Sequence, residues 1–217
     1  DSDLLVCERF DPYYYGLGGR GFLLENNGKG IFADVTEKFA PELKKLGMIT
    51  DAEISDFDND GWKDIVLIGD WMPITLMKNN QGNFVKSNEV LGVANTEGWW
   101  NDIVSEDLNK DGKPDFILAN HGLNTFFKTG DRMYVNDFDK NGSIEQIFCT
   151  EVNGKYYPIV DKDEFVSQLP ALKKQLLYYK DYAKKSIDQI FPETILSESK
   201  IFQVNLLASV VLMSGTT

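Results

Sequence analysis

Carboxylates crowd the stretch Asp56-Phe57-Asp58-Asn59-Asp60-Gly61-Trp62-Lys63-Asp64, at positions 1, 3, 5 and 9, with glycine at position 6. Four like charges this close repel strongly unless a positive ion lies between them. Alternating side-chain oxygens, a backbone carbonyl from position 7 and a sharp bend at glycine describe a loop that wraps a hard cation such as calcium. Asp56, Asp58, Asp60 and Asp64 are the side-chain ligands expected, and Trp62 the carbonyl donor. The pattern returns in Asp107, Asn109, Asp111, Gly112 and Asp115, with Lys113 at the carbonyl position. It returns again in Asp137, Asp139, Asn141, Gly142 and Glu145, with Ser143 at that position. Two to three calcium ions are expected. The third loop departs furthest from the ideal set, because Asn141 and Glu145 replace aspartates. The same residues also suit turns held by side-chain-to-backbone hydrogen bonds without an ion.

The elements that must carry these loops are strands. A helix-flanked calcium sensor needs a bidentate glutamate at position 12, and that position is Leu67, Leu118 or Phe148. Short β-type runs follow each loop (Ile65 to Ile68, Phe116 to Ala119, Ile147 to Thr150) and precede it (Ala52 to Ser55, Asp102 to Ser105, Met133 to Asn136). Each loop therefore joins the two strands of a hairpin. A second motif also repeats. Phe22-Leu23-Leu24-Glu25 leads through Asn26-Asn27-Gly28-Lys29-Gly30 to Ile31 to Thr36, and Thr75-Leu76-Met77-Lys78-Asn79-Asn80-Gln81-Gly82-Asn83-Phe84 is its counterpart. These copies, like the first two ion loops, are offset by about fifty residues, the length of a propeller blade.

On these loops the chain resembles the FG-GAP (VCBS-type) repeats of integrin-like β-propellers. The resemblance implies calcium held between strands of an all-β fold, here a partial or fragmentary propeller with roughly three to four blades where closure takes about 4–8. A narrower likeness rests on Trp71-Met72-Pro73-Ile74-Thr75, Gly98-Trp99-Trp100, Asn120-His121-Gly122-Leu123-Asn124-Thr125 and the Leu169-Pro170 segment. It is to propeller proteins of Bacteroidetes that are associated with ASPIC/UnbV domains and resemble cartilage acidic protein, and it implies a secreted or cell-envelope location.

The remainder of the chain divides into residues 1–160 as blades, 161–196 as a helical insertion and 197–217 as a further, truncated propeller strand. Leu4 to Cys7 reads as a buried strand, and Pro41 to Gly47 as one helical turn. The third loop follows the second too soon to be the next blade in the same register, so it is read as the outer hairpin of the same blade. Asp161 and Asp163 are helix caps, and Leu172, Leu176, Tyr179, Ala183, Ile187 and Ile190 recur at helical spacing up to Phe191. Phe202 to Met213 reads as one strand, of which Val204 to Met213 is expected to pair either with Leu4 to Cys7 or, by preference, with a second copy of the chain, which makes a homo-oligomer one expected outcome.

Composition narrows the function. With 22 basic against 34 acidic residues the net charge is −12, which argues against nucleic acid and anionic membranes as partners. No apolar run is long enough to span a bilayer. No leader is visible, since Asp1 opens a strand-like segment, as expected of a mature or trimmed chain. Cys7 and Cys149 read as buried free thiols, with a disulfide as the alternative. His121 has no second histidine or cysteine to share a zinc ion, and Trp71, Trp99 and Trp100 read as packing between blades rather than a sugar platform. The sequon Asn141-Gly142-Ser143 lies inside an ion loop and reads as coincidence. Two classes remain. One is a non-catalytic calcium-binding module that recognises a protein or glycan. The other is a polysaccharide lyase or hydrolase using carboxylates and tyrosines in a central funnel. There a tyrosine or histidine base would stand beside a charge-neutralising cation or an arginine, a reading weakened by having only Arg9, Arg20 and Arg132.

Overall fold

A computed structural model describes residues 2–215. Its strands are β1 (Leu4–Cys7), β2 (Phe10–Asp11), β3 (Tyr14–Gly18), β4 (Gly21–Asn26), β5 (Phe32–Asp34), β6 (Met48–Ser55), β7 (Asp64–Met72), β8 (Thr75–Asn80), β9 (Asn83–Lys86), β10 (Gly98–Glu106), β11 (Asp115–Asn120), β12 (Arg132–Asn136), β13 (Glu145–Val152), β14 (Lys155–Pro158), β15 (Lys200–Gln203) and β16 (Val210–Leu212). All pairings are antiparallel. The fold is mostly β-sheet with short helices, consistent with an all-β class, and its described strands show no closed propeller. The chain forms two units: a blade unit up to Thr125 resumed from Asn205, and an inserted unit, Phe126–Val204.

The blade unit is organised around β7, which is buried along its whole length. Successive side chains of a strand face opposite ways. Ile65 and Leu67 enter one core with Leu43, Ile49 and Met77, while Val66 and Ile68 enter another with Leu76, Trp100, Ile103 and Phe116. A continuous apolar run in a strand covered on both faces is the physical result. β6–β7–β8–β9 form a four-stranded meander. β10 meets β7 only at its first residues, and it lies beside β6 through side chains: Thr50 Oγ1 donates to the Trp100 carbonyl (2.7 Å), Asp51 Oδ2 accepts from Ile103 N (3.0 Å), and Ser105 Oγ donates to Glu53 (2.6 Å).

The second meander is β10–β11–β16. Its third strand comes from the far end of the chain because the inserted unit interrupts it in sequence. Phe116 pairs with Leu212 just as Ile65 pairs with Met77. This corrects two expectations. Phe202 to Met213 is not one strand but β15 and β16, separated by Val204–Ser209 and placed in different sheets. Val210–Leu212 pairs inside the chain with β11, so neither Leu4 to Cys7 nor a second copy is needed to cover it, and the argument for a homo-oligomer through this strand loses its premise. β1 pairs with β4 instead. It is also less buried than expected, with Leu4 and Val6 more than 40% exposed.

In the inserted unit the sheet runs β14–β13–β12–β15. The third loop joins β12 to β13, so it is not an outer hairpin of the second loop's blade. The expected boundaries at 160 and 196 both fall within this unit. Its helices share one core with the sheet, where Phe165, Leu169, Leu176, Ile187, Ile190 and Phe191 pack with Tyr134, Phe138 and Ile147. Asp161 caps the helix Lys162–Gln168, accepting from the N–H groups of Asp163 and Glu164 (both 2.9 Å). The periodic stretch beyond it is not one helix but the turns Pro170–Lys174, Tyr179–Tyr182, Ile187–Ile190 and Glu193–Glu198. Pro170 and Pro192 bracket it, Ala183 is extended and Lys184 is left-handed (φ 64°). Periodicity placed the apolar contacts, and the backbone broke between them. No helix among the described residues is long and apolar enough to cross a membrane.

Candidate metal centre

All three loops take one backbone path. Position 4 is left-handed in each, at Asn59 (φ 58°), Lys110 (63°) and Lys140 (56°), and position 6 is glycine at φ 90°, 85° and 89°. Asparagine and glycine tolerate this region, whereas a lysine is strained there by about 1 kcal/mol. The position-1 carboxylate fixes the curl. Asp56 accepts from the N–H groups of Asp60 (3.1 Å) and Gly61 (2.9 Å), Asp107 from Asp111 (3.1 Å) and Gly112 (2.9 Å), and Asp137 from Asn141 (2.9 Å) and Gly142 (2.8 Å). Position 5 then accepts from position 7: Asp60 from Trp62 N (2.9 Å), Asp111 from Lys113 N (2.9 Å) and Asn141 from Ser143 N (2.7 Å). In the first loop, side-chain oxygens of positions 1, 3 and 5 also come together.

Position 9 is buried in every loop and bonds the N–H of position 2. Asp64 accepts from Phe57 (3.3 Å), Asp115 from Leu108 (3.0 Å) and Glu145 from Phe138 (3.0 Å). In the two blades the third strand supplies a second donor: Asn79 N to Asp64 Oδ1 and Ser214 N to Asp115 Oδ1, each 2.7 Å. In the inserted unit β14 pairs only with Cys149 to Val152, far from the loop, so no third-strand N–H reaches Glu145. Burial raises the Asp64 carboxyl above the usual range despite these donors, with the charges of Asp58 and Asp60 adding to it. Burial raises Glu145 likewise, and Asp139 and Asp137 add to it. For Asp115 burial acts the same way, but the donors from Ser214 and Leu108 outweigh it and hold the group low.

The loops therefore differ in what they offer. In the first, Asp56, Asp58 and Asp60 present oxygens within 4.8 Å of one another. Lys78, on β8, reaches the same oxygens, forming an ion pair with Asp58 and lying 3.6 Å from Asp60. In the second, Asn109 accepts from Asp111 N (2.9 Å) and its amide donates to Asp111 Oδ2 (3.0 Å), so part of the carboxylate charge is already compensated. Asn59 of the first loop donates to the Gly112 carbonyl of the second (3.3 Å), linking the two. In the third, Asp137, Asp139 and Glu145 lie within 4.8 Å, the extra methylene of glutamate carrying position 9 into the set. Asp139 Oδ1 is buried there without any hydrogen-bond partner. A carboxylate oxygen removed from water without a donor is costly, and a cation would satisfy it. The donor set is entirely hard oxygen, which fits calcium rather than a softer metal.

Sequence reasoning found the ligand-type residues but missed Lys78, Asn79 and Ser214. Asn79 lay in view as part of a repeated hairpin motif. Lys78 lay in the same motif, but nothing local tied it, Asn79 or Ser214 to the loops, since strand pairing brings them there.

The opposite end of the blade-unit sheet gathers the aromatic residues. Trp71 (3% exposed, φ 57°) and Trp99 (8%) meet edge to face at 4.3 Å, and His121 tilts against Trp99 at 5.4 Å, its Nε2 3.1 Å from Thr125 Oγ1. Trp100 is fully buried. These tryptophans pack, as the composition reading favoured, and offer no sugar platform. Trp71 Nε1 donates to Tyr15 Oη (3.1 Å), and Arg9 clamps the buried Asp70 through Nε (2.8 Å) and Nη2 (2.7 Å). Burial and the Asp70 charge push the Tyr15 hydroxyl up to about 12. Both cysteines are free thiols. Burial, with Asp51 adding to it, holds Cys7 at about 11, and burial raises Cys149 as well.

The family model of an FG-GAP-like repeat matches residues 56–118. That span opens on the first position of loop one and closes just beyond loop two. An FG-GAP-like repeat is therefore present in the blade unit. No curated protein matches the chain.

Proposed function

We propose that this chain is a calcium-binding, non-catalytic module of β-propeller type that recognises a protein or glycan at the cell exterior or envelope. The observation that carries the metal reading is the bare, buried Asp139 Oδ1 beside Asp137 and Glu145. The residues that would hold calcium are Asp56, Asp58, Asp60 and Asp64 with the Trp62 carbonyl, Asp107, Asn109, Asp111 and Asp115 with that of Lys113, and Asp137, Asp139, Asn141 and Glu145 with that of Ser143. When bound, calcium supplies charge neutralisation that ties together oxygens otherwise repelling one another. The chain's own residues do the rest: position 1 fixes the curl and position 9 anchors the loop to the sheet. A structural use of calcium is the habit of extracellular modules, which supports an exterior location. So does the likeness of Trp71 to Thr75 and Asn120 to Thr125 to secreted propeller proteins.

The non-catalytic reading is supported by the groups a lyase would use. Tyr15 accepts a hydrogen bond from Trp71 Nε1 and Arg9 is paired with the buried Asp70, so both are engaged in packing. The test is thermal unfolding with and without chelator for the wild type and for Asp139→Asn. Calcium raises the wild-type melting temperature by mass action. In Asp139→Asn the part of this gain that belongs to the inserted unit disappears, and the chelated variant is at least as stable as the chelated wild type. A wild-type melting curve indifferent to calcium would overturn the reading.

A further inference from the structure

We propose that the segment from Pro170 to Lys185, most of whose residues are exposed, is a docking surface for an acidic polysaccharide. The inference rests on the reading of the chain as a binding module and names the class of its ligand. Charge is unevenly distributed along this chain. The blade unit carries 11 basic and 22 acidic residues, the inserted unit 11 and 12. Within the inserted unit, Lys173, Lys174, Lys180, Lys184 and Lys185 stand together in sequence with Asp181 as the only acid among them. None of these five lysines forms an ion pair among the described residues. Asp181 is engaged by the N–H of Tyr178 (2.9 Å). In a chain of net charge −12, this stretch carries five lysines against one acid of its own, although Asp161, Asp163 and Glu164 approach Tyr179 and Tyr182 from the preceding helix.

The same stretch exposes aromatic rings. Tyr178 and Tyr179 are 59% and 58% exposed, next to Leu177 at 59%. Leu176, Ile187 and Ile190 are buried and anchor the segment to the core below. The rings are also held. Tyr179 donates its hydroxyl to Asp163 and lies under Lys162 (4.9 Å), and Lys180 sits 5.3 Å over Tyr178. A fixed exposed ring loses little entropy when something stacks on it. Monosaccharide rings offer apolar C–H faces to tyrosine, and a uronate adds a carboxylate for lysine.

Charge density favours this partner over other polyanions. A DNA duplex carries a charge about every 1.7 Å of its axis, and a −12 chain with a few spaced lysines opposes so dense an anion. A uronate polymer carries one carboxylate per ring, a charge that suits lysines interleaved in sequence with tyrosines. An anionic membrane calls for a continuous amphipathic basic helix, and this segment is broken into short turns.

The experiment is a titration of the full chain, in calcium, with polygalacturonate and with neutral dextran, between about 50 and about 200 mM salt. Polygalacturonate is expected to bind, more weakly as salt rises, and dextran not to bind. Substituting Lys173, Lys174, Lys184 and Lys185 together by serine is expected to weaken binding by about tenfold or more. Tyr178→Ala is expected to weaken it several-fold, with the melting temperature and its calcium dependence unchanged in both variants. Absence of polygalacturonate binding, binding undiminished in the lysine variant, or a preference for duplex DNA or anionic vesicles overturns the proposal. Capture of dextran or of a protein that survives the lysine variant also overturns it while leaving the binding-module reading intact. Loss of calcium-dependent stability in the wild type would instead strike at that reading itself.

Discussion

The first and third loops are built from the same backbone turn, yet the residues around them treat the metal charge in opposite ways. In the blade unit the third strand of the meander reaches the loop. Its Asn79 N–H saturates Asp64 and its Lys78 ammonium stands over Asp58 and Asp60. In the inserted unit the third strand stops short, position 9 is a glutamate, and Asp139 is left with a bare buried oxygen. The loop nearest the ideal pattern in sequence thus carries its own positive charge, while the loop furthest from it depends most on an external one. Ligand type is a local property, but the compensation of charge is set by whichever strand arrives alongside.

The largest effect that would break this comparison concerns the independence of the two units. Phe165 is fully buried in the inserted unit's core, and Phe165→Ala is expected to cost about 3–5 kcal/mol there. Hydrogen exchange should quicken in Arg132–Asn136 and Glu145–Val152 and stay unchanged in Asp64–Met72. Equal acceleration in both would mean that they unfold as one.

Next in size is the response to calcium removal. A site filled at about a hundredfold over its dissociation constant contributes about 2.7 kcal/mol. Chelation should therefore lower the melting temperature. Asp58→Ala should reproduce part of that loss while exchange in β6 and β7 stays protected, since cores on both sides of β7 hold them. Loss of that protection in Asp58→Ala would mean that the loop, and not the core, holds the hairpin.

A pH measurement sharpens the contrast further. Burial, then the charges of Asp139 and Asp137, raises the folded-state pKa of Glu145 above its unfolded value of about 4.3. The folded state therefore binds this proton more tightly. In chelator its contribution to stability grows as pH falls from the raised value towards about 4.3, and it is lost as pH rises through that window. Glu145→Gln should flatten this slope relative to wild type and abolish the calcium increment of the inserted unit. An unchanged slope would remove Glu145 from the cluster.

The smallest effect expected is at Lys78. A partly exposed ion pair is worth about 0–1 kcal/mol, so Lys78→Met should tighten the first loop's affinity by at most about fivefold. Terbium emission sensitised by Trp62, at position 7 of that loop, would read it directly. Weaker binding in the variant would mean that the lysine assists the site.

Much of the chemistry was legible because it is local. Asp56 to Asp64 and its two echoes announced oxygen-lined turns between strands, and all three lie between strands. The burial of Ile65 to Ile68 followed from an apolar run next to a turn. Position 4 was not legible, since Lys110 and Lys140 give no hint of a left-handed backbone. Nor was the broken helix after Pro170, because apolar spacing reports which side chains face a core and not whether the backbone between them is continuous.

What the sequence determined alone was therefore the set of turns, the hairpins carrying them and the hard-oxygen character of the loops, all properties of side chains within about ten residues of one another. Only the tertiary structure decided that Val210–Leu212 completes the blade begun at Gly98, that residues 126–204 form a unit of their own, and that Asp139 lacks a partner. The first two depend on strands distant in sequence meeting edge to edge, and the third on where β14 ends beside β13. The hydrogen bonds that choose such a partner come from the backbone, which every residue but proline offers alike.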